Sequence, residues 1–438
     1  MSEGVVIIDN SVDKELAFKM AQMNIFQTDN AEEFDAENAD SDHCINAENC
    51  LNITDLPSEI LIHIASFLES RTVILSLYGA CKRFYELFSG DKYWKTRISQ
   101  RWSKQYPVIE RDDFNWRKAC MEREEIHTMW SNPEEHFNHF MLKEGFFAAV
   151  DVVHLMKNGK YLAVGSRDRH LNIVDLTKYD CENQDQIKDI IVASETKVHK
   201  GWVWSMASND DTLVTGSWDT YIRLFDFNSG EIRKNSEIKL KSAILGLHFE
   251  PNFIAAGGFD KRLYMLDPRA PNDYIRKHYH AQPILSVKAD DKYVITGSED
   301  KVVAIYDRVA GKKYKTIETE NFVLSMSYGD GQLWMGDKLG KLHVMDTRDG
   351  LFDENSIKTF DVGHNGRLTG VVHTDGGIFT CCSDSCIKVV EPSYDPGLIN
   401  SVKVHTGEVA GISYDNGVLA SAGADISVGV WIPKNRAY

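Results

Sequence analysis

Residues 199–226 read HKGWVWSMASNDDTLVTGSWDTYIRLFD. Alternating apolar positions run from Val203 to Ala207, Leu213 to Gly216 and Tyr221 to Phe225. The polar groups Asn209-Asp210-Asp211 and Trp218-Asp219-Thr220 separate these runs. Period-two alternation punctuated by turn formers predicts three short antiparallel strands. The same signature recurs: apolar strand, small-residue pair, Asp in a turn, then alternating apolars ending near an acid. It appears as AVGSRDRHLNIVD (163–175), AAGGFDKRLYMLD (255–267), ITGSEDKVVAIYD (295–307), WMGDKLGKLHVMD (334–346), TCCSDSCIKVVE (380–391) and SAGADISVGVW (421–431).

Counted at the turn position (Asp168, Asp219, Asp260, Asp300, Leu339, Asp384, Asp425), successive copies lie 51, 41, 40, 39, 45 and 41 residues apart. A period near 40 is the spacing of one four-stranded propeller blade. These copies resemble WD repeats, and seven of them imply a seven-bladed β-propeller. The resemblance places His405, Ser421, Asp425 and Trp431 where the family builds a buried hydrogen-bonded tetrad. Elsewhere the final Trp becomes Val174, Phe225, Leu266, Tyr306, Met345 or Val390, which still fill an inter-blade core. The fifth copy has Leu339 in place of its Asp, so its boundaries are the least defined.

Ahead of the repeats, residues 56–98 carry Leu56-Pro57-Ser58-Glu59-Ile60-Leu61, then Ser66-Phe67-Leu68, Cys81-Lys82-Arg83-Phe84 and Tyr93-Trp94-Lys95. Pro57 suits a first helical turn. Ile60, Leu61, Ile64, Phe67 and Leu68 then mark the apolar face of a helix of about three turns. Three more short helical runs follow, and so small a core either leans on neighbours or keeps an apolar face for a partner. This motif set resembles an F-box. The resemblance implies binding to the adaptor Skp1, and through it to cullin and RING subunits, with Leu56, Pro57, Ile60, Leu61, Ile64, Leu68, Leu77, Cys81 and Phe84 as contacts. Each buried Leu or Ile is worth about 1.5–3 kcal/mol. The alternative is that the same stripe is simply the module's own core.

The predicted organisation is α+β and multidomain: an acidic tail (1–50), a small all-α F-box (51–98), a helical connector (99–145) and the seven-bladed propeller (146–438). Between residues 31 and 50 stand seven acids and no Lys or Arg, which predicts disorder, with a short amphipathic helix at Val12–Phe26 as the alternative. Because the last repeat ends at Trp431, its fourth strand is expected from within Ile126–Met141, near HFNHFM, closing the ring and removing free sheet edges.

The formal net charge of −16 argues against a nucleic-acid surface, which relies on Lys and Arg. No run of about 18 apolar residues and no signal pattern appears, so a soluble chain of the cytoplasm or nucleus is expected, with no membrane contact. Eight cysteines without C-x-x-C spacing fit a reducing compartment. Cys381, Cys382 and Cys386 cluster, but alternation sends strand neighbours to opposite faces, so ordinary thiols are favoured over a metal. No phosphate loop, nucleophile elbow or catalytic carboxylate pair stands out, so no catalytic residue, cofactor or metal is expected.

Partner selection is expected on the face where strand turns ring the channel. Residues preceding the turn Asp and those opening the innermost strands point there, giving Arg167, Trp202, Trp204, Trp218, Phe259, Phe322, Lys338 and Arg367 as client-binding candidates. For Trp204, packing between blades is the competing role, and Trp202 and Trp218 share that alternative. F-box/WD receptors of phosphorylated segments present several Arg for bidentate phosphate binding. This chain offers few there, so the aromatic group is expected to lead, with Arg167 as charged anchor. The family resemblance implies the substrate receptor of an SCF-type ubiquitin ligase, which makes no bond itself and contributes proximity. A plain scaffold that delivers no client is the other reading.

Overall fold

The computed structural model describes residues 53–182, 188–209, 211–228 and 231–435. The acidic stretch 1–50, with its candidate helix Val12–Phe26, lies outside the described residues. Ile53–Asp55 form one 3-10 turn.

The helical module begins with α1 (Ser58–Ser66), for which Pro57 is the N-cap. A turn at Ser70–Thr72 runs into a π-helical stretch, Val73–Leu77, followed by α2 (Lys82–Phe88) and α3 (Asp91–Arg101). Its core is Leu61, Ala65, Val73, Ile74, Phe84, Phe88, Trp94 and Ile98, all buried. The Trp94 indole donates to the Phe88 carbonyl at 2.8 Å. Tyr93 packs edge-on against both Phe88 and Trp94, at 4.8 Å each.

The connector helix α4 (Trp116–Ser131) starts where the Asn115 side chain accepts from the Lys118 N–H. It fastens the module through one buried carboxylate, Glu124, which is 5% exposed. Arg97 of α3, also 5% exposed, donates to it through Nε at 2.7 Å and Nη2 at 3.1 Å. Arg101 reaches it at 2.9 Å, and the Ser70 N–H donates at 2.8 Å. Arg97 Nη1 also donates to the Ala65 carbonyl at 2.8 Å, and Nη2 to the Leu68 carbonyl. One ion pair thus ties α1, α3 and the Ser70 turn to α4. Further along α4, Ile126 and Trp130 are buried among Phe137, Phe379, Leu419 and Trp431, so the helix is packed into the propeller.

Seven four-stranded antiparallel sheets make up the rest. Six are consecutive in sequence. The seventh joins Val409–Asp415, Val418–Gly423 and Ser427–Pro433 to Phe137–Leu142, the strand expected near HFNHFM, with Phe137 opposite Pro433 and Leu142 opposite Val428. The innermost strands touch in a closed ring, Val150–Met156 meeting both Val203–Ser208 and Val409–Asp415. Apolar clusters fill the spaces between adjacent blades, and the six strand-end substitutes (Val174, Phe225, Leu266, Tyr306, Met345, Val390) are buried there together with Trp431. Blades approach closely: a Cβ on Gly165 would meet Val203 at 2.6 Å, and one on Gly216 would meet Ile244 at 2.7 Å.

The turn acid has a visible job. In blade two, Asp219 accepts from the Tyr221 N–H (3.0 Å), the Lys200 N–H (2.8 Å) and His199 Nδ1 (3.0 Å), while His199 Nε2 meets Thr215 Oγ1 at 2.8 Å. Blades four, six and seven repeat this with His280, His364 and His405. The residue after the acid takes a left-handed φ, as at Arg169 (73°), Thr220 (73°) and Ile426 (65°). In blade seven the polar set is His405, Ser421, Asp425 and Ser427, and Trp431 serves as a buried wall stacked on His139 at 4.6 Å. Blade five is regular despite Leu339. Asp337, two residues earlier, accepts from the N–H groups of Leu339 and Lys341 (2.8 Å each) and from Asn321, and meets His343 at 3.3 Å.

Removing one member of the buried Arg97–Glu124 pair strands the other as a buried charge, a change that costs about 3–5 kcal/mol. Glu124→Ala should therefore lower the chain's stability to urea by about that amount, with amide exchange at Ser70 accelerating first. A second prediction concerns pH. His154 (Nε2 to Ser208 Oγ, 2.9 Å) and His373 (Nδ1 to Ser327 Oγ, 2.9 Å) are pushed down to about 4, chiefly by burial, with the Lys288 ammonium acting in the same direction. Both are neutral when folded, so stability present above about pH 6.5 is lost as pH falls toward 4. Calorimetry at pH 7 and pH 5 should show Tm falling by about 5 °C.

Candidate functional site

Every innermost strand carries a register irregularity near its start, between Val150 and Val152 in blade one and between Val203 and Ser205 in blade two. A bulge leaves one residue out of the ladder and re-aims its side chain. In blades one and two the residues so placed are Asp151 and Trp204. They meet across the blade boundary at Arg167. Its Nε lies 3.0–3.1 Å from both carboxylate oxygens of Asp151, and its Nη2 lies 3.0 Å from one of them. Burial pushes the Asp151 carboxyl up against the pull of the guanidinium, and the carboxylate pushes Arg167 up in turn.

The same guanidinium lies 4.9 Å from the centre of the Trp202 ring and 5.9 Å from that of Trp204. The two indoles are near parallel, 6.5 Å apart, and Trp218 stands at a steep angle to both at 5.8 Å. Phe259 continues the group, 5.5 Å from Trp218. Trp202 is 41% and Phe259 52% exposed. Trp204, for which inter-blade packing was the competing role, is half-buried inside this aromatic group. Five of the eight propeller candidates are therefore one assembly.

The other three stand apart in blades five and six. The Lys338 ammonium lies 4.7 Å from the Phe322 ring centre, and Arg367 is paired with Glu408 at 2.8 and 2.9 Å. Sequence reading missed Asp151, the acid that holds Arg167. It also missed Phe147, which is 77% exposed and packs edge-on against His170 at 5.8 Å.

At the helical end, α1 is apolar on two sides. Leu61 and Phe84, expected to contact a partner, are buried in the module's own core, because Leu61, Ala65 and Leu68 form the inward side. Ile60 (45% exposed), Ile64 (39%) and Phe67 (77%) form the outward one. Pro57 is exposed at the helix start, Leu56 ends the preceding turn, and Leu68, Leu77 and Cys81 are half-buried. Leu75 and Tyr85 also lie open, and no signal in the spacing separated them from core positions.

Among the described residues one group has metal-ligand geometry, His364, Cys382 and Asp384 of blade six. It belongs to the turn network, since His364 meets Asp384 and Thr380 at 3.0 Å each. Burial favours the neutral acid, yet the Asn365 N–H, the His364 ring and the Cys386 N–H together hold Asp384 at about 2. Burial pushes the Cys382 thiol up to about 11 and Cys381 to about 12. No described helix is long and apolar enough to cross a membrane.

A helical module with an open apolar side is thus clamped to a closed propeller that presents an aromatic face. Residues 53–100 match the family described as F-box-like, and residues 192–226 and 274–307 match the WD domain, G-beta repeat. The chain is 33% identical over 380 residues to F-box/WD repeat-containing protein 9 of Bos taurus and of Homo sapiens, covering 86% of this chain and 82% of each relative. It is 23% identical over 332 residues to F-box/WD repeat-containing protein mec-15 of Caenorhabditis elegans, covering 73% and 80%. A crystal structure of the computationally designed Ika8 protein shares the fold at TM-score 0.51 and 16% identity, covering 66% of this chain and 97% of that one. The chain belongs to the F-box/WD-repeat protein family.

Thiols held this high are poor nucleophiles. With iodoacetamide at pH 8, the native chain should be alkylated at exposed Cys181 while Cys120, Cys381 and Cys382 react only after unfolding, as peptide mass mapping would record.

Proposed function

We propose that this chain is the substrate-recognition subunit of an SCF-type ubiquitin ligase. Its F-box seats a Skp1-type adaptor, which brings cullin and RING subunits, and the propeller face holds the client. The observation that carries the reading is the row Ile60, Ile64 and Phe67, one side of an F-box helix that no other described residue covers. Family membership supports it, as does the stiff coupling of module to propeller through Glu124 and Trp130. A receptor of this kind works by holding a client lysine near a separately bound conjugating enzyme, so rigidity sets the effective concentration. On this reading the chain is non-catalytic, requires no cofactor or metal, and acts in the cytoplasm or nucleus.

Co-purification with Skp1 and cullin tests it. Wild type should carry both. Because the changed residues are exposed, Ile64→Lys/Phe67→Lys should stay folded and lose both partners, with adaptor affinity falling at least a hundredfold. A wild-type chain that carries neither partner would leave the scaffold reading in its place.

A further inference from the structure

We infer that the propeller face takes an unmodified, acidic peptide segment with a large aromatic or aliphatic anchor. The anchor would rest on Trp202, Trp218 and Phe259, and neighbouring carboxylates on Arg169 and Lys200. This rests on the receptor reading above and specifies its substrate class.

Three observations carry it. The first is that the three cations expected on this face are engaged already, which leaves Arg169 as a lone open guanidinium rather than one of a clamp. The donor edge of Arg167 is filled by Asp151, Arg367 is paired with Glu408, and Lys338 lies against Phe322. A bidentate grip on a phosphate needs a free guanidinium edge.

The second concerns the indoles. Clustered aromatic rings bind cations, but here the chain's own Arg167 holds that place, neutralised by Asp151. What remains open to a partner is apolar ring surface on Trp202 and Phe259, the kind of anchor pocket that dominates interface energetics.

The third is the neighbouring groove of about 550 Å³, which runs from Trp202 to exposed Phe147 along Arg169, His170 and Lys200; Asp168 also lines it, its carboxylate accepting from the Phe147 and His170 N–H groups and from Ser166 Oγ. Among the described residues the Arg169 side chain donates to a backbone carbonyl, that of Asp168, at 3.4 Å, and no carboxylate pairs with Arg169 or Lys200. On a chain of net charge −16, two cations without carboxylate partners beside an apolar anchor favour an acidic segment there and nowhere general.

The test uses the full chain in complex with the Skp1 adaptor and a displayed library of random unmodified 12-residue peptides. Enriched peptides should combine an aromatic or large aliphatic residue with two or more acids. Trp202→Ala/Phe259→Ala should weaken them at least tenfold, and Arg169→Glu/Lys200→Glu should reverse the charge preference. Arg167→Ala, checked for folding by circular dichroism, should newly admit lysine peptides, since it leaves the Asp151 carboxylate facing the indoles. No enrichment, enrichment blind to charge, or binding gained only when a phosphoserine is placed in the peptide would overturn the proposal. Adaptor co-purification is read separately, so loss of the adaptor with peptide binding intact would fault the receptor reading alone.

Discussion

The ring stands on one strand pairing. Phe137–Leu142, drawn from well before the first blade, lies antiparallel to Ser427–Pro433 and completes the last sheet. Without it the seventh blade would present an unpaired edge, and Phe140 and Leu142 would be missing from the apolar cluster between blades seven and one. The pairing also fixes the helices, because α4 ends only a few residues before this strand and buries Ile126 and Trp130 against the blades it joins. Closure of the propeller and placement of the F-box are thus one event.

Within the ring, a repeated acid and a repeated bulge divide the labour. In blades two, four, six and seven the acid gathers backbone N–H groups and a histidine into the turn, so it serves the fold. The bulge releases one side chain per blade from the ladder, so it serves whatever the face does. In blades one and two those released side chains are Asp151 and Trp204. Between them they bracket Arg167 and convert what would be a free cation into part of an aromatic surface. The chemistry that this face presents is therefore set as much by a buried carboxylate as by its exposed rings.

Strand alternation and the 40-residue period were legible because they depend on side-chain chemistry that repeats along the chain. The strand ends from Val174 to Trp431 read correctly as core for the same reason. The closing strand was legible from a shortage, since the seventh repeat had only three strands. Where two answers shared one pattern, spacing failed. Ile60, Ile64 and Phe67 are as apolar as Leu61, Ala65 and Leu68, and only the packing of α2 and α3 decides which side is inward. Asp337 was hidden because it reaches the turn from two residues upstream, although its acid, followed by Gly340, preserves the turn chemistry. The Arg97–Glu124 pair, 27 residues apart, left no periodic trace at all.

The staggering of strand and sequence has a mechanical side. Since α4 leads through Pro133–His136 straight into the closing strand, tension applied at the F-box end is delivered to the outer edge of the seventh sheet. An edge strand loaded from its end yields one rung at a time, at far lower force than a strand sheared along its length. Trp130, Ile126 and the Asn400 side chain, which donates to the Trp130 carbonyl at 2.7 Å, intercept that load ahead of the strand. The connector helix thus takes load ahead of the seam that closes the ring, and a tug transmitted from the helical module is borne first by a buried indole.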